Sequence, residues 1–228
     1  LNERQLVLYD KYTKILEEII SPNQSDIEKE IAIHDYLVDN INYVDTGDSS
    51  YNAYSALING IAVCSGYTEC FKTLLDMLGI ENATISGEAG GQQHIWNVVN
   101  LDNHWYHVDV TWDDPVGSSS DYIDHSYFNI SADDMALDHT WDRSRYSAYE
   151  KCGAKYSYCR YKKLPLISNV NQLNKLIYST VKNKTAHIEF TTTYNADLKE
   201  AISRTGQQLS YSCLLYTSPS PRDGLLSR

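Results

Sequence analysis

Two stretches that read as β-strands, 94–101 and 104–112, are separated by nothing but Asp102-Asn103. A two-residue link of this kind closes a β-hairpin, because Asp and Asn tolerate the positive φ that such turns require. With these two residues as the turn, paired positions sum to 205, so Trp96 faces Asp109 and His94 faces Thr111. His94 and Asp109 then leave one face of the hairpin on diagonal positions, roughly 7 Å apart at Cα and within side-chain reach. A one-residue slip would send them to opposite faces.

The rest of the chain is read around that hairpin. Upstream, residues 64–78 are an amphipathic helix with Tyr67, Cys70, Phe71, Leu74, Leu75 and Leu78 on one face and Gly79 at its stop. A strand at 83–86 and a mobile loop containing Gly87, Gly90 and Gly91 should lead into His94. No Lys-Ser or Lys-Thr follows those glycines, which excludes a phosphate-binding loop. The first 45 residues read as two helices, the second opened by a Ser25/Glu28 capping box, with His34 at the edge of the core. Ser131 and Asp134 open another short helix. From Pro165 the pattern runs helix (170–179), strand (186–191), helix (196–203) and strand (208–212), a small α/β appendage.

Charge narrows the partners. Nineteen Lys and Arg against 30 Asp and Glu give a net charge of −11. Nucleic acid and anionic membrane surfaces need clustered cations, so neither is expected. No run approaches the roughly 18 apolar residues of a membrane span. Nineteen Tyr against three Phe place a polar tip on many aromatic positions. The five cysteines, at 64, 70, 152, 159 and 213, show no metal-site spacing. Cys70 belongs to the helix core, and Cys152 and Cys159 would pair in an exported chain. Asp113, Asp114, Asp121 and Asp124 read as a solvated acidic loop rather than a cation site, since their spacing is not that of an EF-hand.

Cys64 is the residue whose position asks for chemistry. At the start of a helix its sulfur lies over unpaired N–H groups and the positive end of the helix dipole, which favour thiolate. Gly66 beside it would admit a substrate backbone. Alone, such a cysteine equally suits a buried inert thiol. An imidazole on the hairpin changes this, with Asp109 fixing the His94 tautomer while the other ring nitrogen faces the sulfur. His107 shares strand parity with Asp109 and is the fallback base. His104, His125, His139 and His187 have no evident partner. Trp96 shares the His94 face, as core or cleft lining, whereas Trp112 points to the other side and reads as core.

Three stretches occur in order: Asn59-Gly-Ile-Ala-Val-Cys64-Ser-Gly-Tyr67, His94-Ile-Trp-Asn-Val98 and Trp105-Tyr-His-Val-Asp109-Val-Thr-Trp112-Asp-Asp-Pro115. They resemble the bacterial transglutaminase-like domain, a branch of the papain-like thiol enzymes. The resemblance runs from about Asp26 to Trp141 and includes Tyr127-Phe-Asn-Ile-Ser131. It implies an α+β papain-like, transglutaminase-core fold with helices packed on an antiparallel sheet. It further implies Cys64 as nucleophile, His94 as general base and acid, and Asp109 as the residue orienting His94. The implied reaction is acyl transfer on protein or peptide amides through a thioester, ending in hydrolysis or in glutamine–amine cross-linking. A non-catalytic protein- or cell-wall-binding module is the alternative. The Cys64 N–H would serve the oxyanion, with Tyr54 or Tyr51 as candidate second donors. No cofactor and no metal are expected; the oligomeric state is left open. An extracytoplasmic or cell-surface setting follows from the resemblance alone.

The expected division is a catalytic domain with N-terminal helices at 1–164, a partial appendage at 165–212 and a non-native tail at 213–228. The tail looks like translated adapter sequence, and a chain beginning with Leu reads as a fragment or processed product.

Overall fold

The computed structural model describes residues 2–47, 50–114, 123–183 and 188–192. Helix α1 (Glu3–Ile19) starts on an Asn2/Gln5 capping box and stops just before Ser21-Pro22. Helix α2 (Asp26–Asn40) begins as its sequence dictates, with the Glu28 carboxylate accepting the Ser25 N–H at 2.7 Å. Two short parallel strands, β1 (Asn42–Tyr43) and β2 (Ile61–Ala62), flank a π-helical turn at Ser55–Asn59 that ends on Gly60 at φ 70°. They deliver the chain to α3 (Cys64–Met77).

The main sheet contains β3 (Asn82–Ala89), β4 (Gln92–Leu101), β5 (His104–Val108) and β6 (His139–Thr140), in the order β5-β4-β3-β6 and antiparallel throughout. Asp102 and Asn103 adopt φ 52° and 60°, and Asn97 pairs with Val108, so the 205 register holds. Two buried clusters sandwich the sheet. On one side Val99, Leu101, Tyr106 and Val108 meet Tyr67, Phe71, Leu74 and Leu75 of α3, with α1 and α2 behind. On the other, Ile85, Trp96 and Val98 pack with Tyr127 and Met135. The fold is α+β, helices on an antiparallel sheet.

Three further helices are short: α4 (Val110–Asp113), α5 (Ala132–Met135) and α6 (Tyr158–Tyr161). Ser131 caps α5 by accepting the Asp134 N–H, as its sequence implies. Beyond α6, β7 (Leu166–Ile167) pairs in parallel with β8 (Thr191–Thr192), and α7 (Val170–Asn183) lies between them in sequence. Ile167, Leu173, Ile188 and Phe190 form a separate small cluster. No described helix is long and apolar enough to cross a membrane.

Several expectations give way. The glycine stretch is not a loop: β3 and β4 run on to a tight turn at Gly90-Gly91, with both glycines at positive φ. Gly87 lies within β3, where a Cβ would meet the Thr140 carbonyl oxygen at 2.1 Å, so its role is to let β6 approach. Strand β5 ends at Val108, four residues before the expected stop, because Asp109 caps α4. Residues 188–190 are not strand, and pairing begins only at Thr191. Cys152 is a free thiol, so no Cys152–Cys159 bridge forms. Two residues of the acidic stretch are not a solvated loop: Asp113 is fully buried against His34, and Asp114 accepts the Tyr67 hydroxyl. Asp121, His187, the elements at 196–203 and 208–212 and the tail from 213 lie outside the described residues.

Candidate active site

Cys64 is the first residue of α3, and nothing caps that helix. Its N-cap is Val63, which offers no side-chain acceptor. Gly66 and Tyr67 donate to the Val63 carbonyl, but among the described residues no acceptor meets the N–H of Cys64 or Ser65. The thiol therefore sits among free backbone donors at the positive end of a helix of 14 residues. One turn later, Thr68 fastens α3 to β4: its hydroxyl donates to the Ile95 carbonyl at 3.0 Å and its own carbonyl accepts from Asn97 at 3.2 Å. These bonds, beside His94, set the nucleophile's position relative to the imidazole. Gly66 is buried, with the Ala62 Cβ too close, at 2.7 Å, to admit a Cβ. It serves the protein's own packing, not a substrate backbone.

Across the hairpin, His94 Nε2 lies 2.6 Å from Asp109 Oδ2, leaving Nδ1 for Cys64. Burial opposes charge on the ring, but Asp109 and then Cys64 outweigh it and raise the His94 pKa to about 10. Burial works against Asp109 as well, yet His94 and His139 hold its carboxyl well below the usual carboxylate range. Four donors converge on that carboxylate: His94 and His139 on Oδ2, and the N–H groups of Thr111 and Trp112 on Oδ1. The structure thus brings Cys64, His94 and Asp109 together.

The other candidates separate cleanly. His107 is buried, accepts the Trp96 indole N–H at 3.0 Å, and is pushed by burial down to about 3. It stays neutral in the core and is no base. Trp96 is core too, stacked 6.0 Å from His94. Trp112 does not point away: because the strand ends before it, its ring returns to within 6.1 Å of His94 and 4.6 Å of His139. Tyr54 lies under the Arg4 guanidinium and Tyr51 turns its hydroxyl to Asp45. Tyr43 is raised first by burial and then by Cys64, Asp45, Tyr51 and Asp109 in turn.

Two histidine–aspartate clusters bring ligand-type atoms within 4.8 Å: His94, Asp109 and His139, and His34, Asp35 and His125. His34 is not at the core's edge but fully buried, its nitrogens 3.0 Å from Asp35 and 3.2 Å from Asp113. Both sequence reading and strand parity missed His139. Its contact with Asp109 spans 30 residues and depends on β6, which has no periodicity to announce it.

Residues 13–110, which include Cys64, His94 and Asp109, match the profile of the transglutaminase-like superfamily. This segment is transglutaminase-like. Solved structures similar to the chain include a candidate cysteine protease from Cytophaga hutchinsonii, 17% identical over 49% of this chain and 40% of its own, with a TM-score of 0.40. A protein described as a TGase is 19% identical over 61% of this chain and 38% of its own, at 0.45. Menin is 19% identical over 53% and 28%, at 0.39. The chain spans less than half the length of each of these structures. No curated protein sequence matches it. The transglutaminase-like segment ends one residue past Asp109, so Trp112 and His139 lie beyond it.

Proposed function

We propose that the chain carries out cysteine-dependent acyl transfer on protein or peptide amides. The observation that carries this reading is the 2.6 Å His94–Asp109 contact beside an uncapped helix start bearing Cys64. The Cys64 sulfur attacks the amide carbonyl, forming a C–S bond, and the free N–H groups of Cys64 and Ser65 take the oxyanion's charge. His94 then passes its proton to the leaving nitrogen as the C–N bond breaks. Water or a primary amine, deprotonated by His94, releases the acyl group from the thioester and restores the thiol. Asp109 keeps the imidazole in one orientation throughout. The two free donors at the helix start serve better than Tyr54 or Tyr51, both of which are turned elsewhere.

Mass spectrometry of a glutamine-containing peptide incubated with the protein, with and without a primary amine, tests this. Cleavage or deamidation is the hydrolytic outcome, and a gain of the amine's mass less ammonia is the cross-linking outcome; either should vanish in Cys64→Ala. Unchanged peptides across a panel of sequences, with Cys64 no more reactive than a free thiol, would favour the binding-module alternative.

A further inference from the structure

We propose that His139, held by Asp138, is a positioning residue that fixes both the orientation and the charge of the Asp109 carboxylate, and so sets how readily His94 gives up its proton. This rests on the functional reading of Cys64 and His94 above. His139 Nε2 lies 3.0 Å from Asp109 Oδ2, the oxygen His94 uses, and His139 Nδ1 lies 2.6 Å from Asp138 Oδ1. A carboxylate only accepts, so a ring satisfied at both nitrogens carries both protons. His139 is fully buried and its second carboxylate is held in turn by the Tyr127 hydroxyl. Trp96, Trp112 and Tyr127 surround the ring with centroids at 5.1, 4.6 and 5.5 Å, which leaves it no other orientation.

Among the described residues, the charged or titratable groups facing His139 belong to this arrangement. Asp109 stands at the end of β5, Asp138 precedes β6, His94 approaches from β4 at 5.6 Å, and neutral His107 feels the imidazolium from β5. Burial opposes His139's charge, and the two carboxylates overcome it. The imidazolium offsets part of the Asp109 charge that would otherwise hold the proton on His94. Too strong a hold would leave His94 unable to protonate a leaving amine. The delivery is built into the sheet: β6 reaches β3, Ala89 opposite His139, only because Gly87 has no Cβ.

The test is the rate of Cys64 alkylation by iodoacetamide against pH, which needs no substrate, in the unsubstituted protein, His139→Gln and Asp138→Asn. His139→Gln keeps a donor for Asp109 but removes the charge. It should move the alkaline limb, where His94 loses its proton, up by roughly one pH unit, and Asp138→Asn should move it less in the same direction. Profiles that superimpose, even with a lowered melting temperature, overturn the proposal. If His139→Gln does not fold, nitrogen-15 histidine spectra of the unsubstituted protein decide, with Asp138→Asn for assignment. A His139 ring protonated at both nitrogens at neutral pH supports the proposal, and a bare ring nitrogen overturns it. A Cys64 with no enhanced reactivity in the unsubstituted protein overturns the functional reading and this one together, whereas an activated Cys64 whose profile ignores His139 sinks only this one.

Discussion

Three described thiols share one chain and differ in what surrounds them. Cys70 is fully buried on the inner face of α3, and burial pushes its thiol far up. Cys152 is half-buried, receives the Ala132 N–H at 3.1 Å, and is also raised by burial. Cys64 instead meets His94 and an open helix start. Brief treatment with iodoacetamide near neutral pH should therefore label Cys64 while sparing Cys70 and Cys152. Peptide mapping reads this directly, and His94→Ala should slow the Cys64 reaction on the order of 10²-fold or more. Equal labelling of Cys64 and Cys70 in the folded protein would remove the case for an activated thiol. Position along the helix could be read from the sequence, since the apolar face put Cys70 inside by its spacing. What Cys64 gains from the absence of a cap could not, because it depends on where Ser50 to Asn52 run.

Among the elements, the β4–β5 hairpin was legible and β6 was not. Asp102-Asn103 is local turn chemistry, and register follows from it by counting. The same counting failed at Trp112 because Asp109, caught by two backbone N–H groups, starts a helical turn and ends the alternation. Nothing local marks a two-residue strand such as β6, whose existence is decided by Gly87 on a distant strand. Gly87→Ala should make that dependence visible. A methyl group at 2.1 Å from a backbone oxygen forces β6 to shift, for a loss of about 1–3 kcal/mol. Denaturant unfolding gives the stability term, and Cys64 alkylation should slow in parallel although no active-site side chain has changed. A variant as stable and as reactive as the parent would show that β6 docks by other means.

At the scale of the molecule, buried ionic groups make stability a function of pH. His34 is raised to about 9 by Asp113 and Asp35 in spite of burial, so its contribution is complete below pH 6.5 and fades as pH rises through 9. Burial raises Glu30 to about 8 and Asp113 to about 7, the latter against the pull of His34. Groups that keep their protons longer in the folded state all lose stabilisation in the alkaline direction. Asp35 and Asp109, held low by their histidines, lose theirs as pH falls below the ordinary 3.8. Melting temperature should therefore decline between pH 6.5 and 9, and His34→Gln should flatten part of that decline while lowering the plateau. A melting temperature that is constant or rising across this interval would contradict the ionic account of the core. Helices α1, α2, α4 and α5 are each capped by their own residues, Asn2, Ser25, Asp109 and Ser131, while α3 stands on Val63. A serine at position 63 would supply the missing cap, a contribution of about 1 kcal/mol set against the loss of the buried Val63 side chain. The same substitution would occupy the amides the thiol needs, so sturdiness and reactivity compete for one backbone turn.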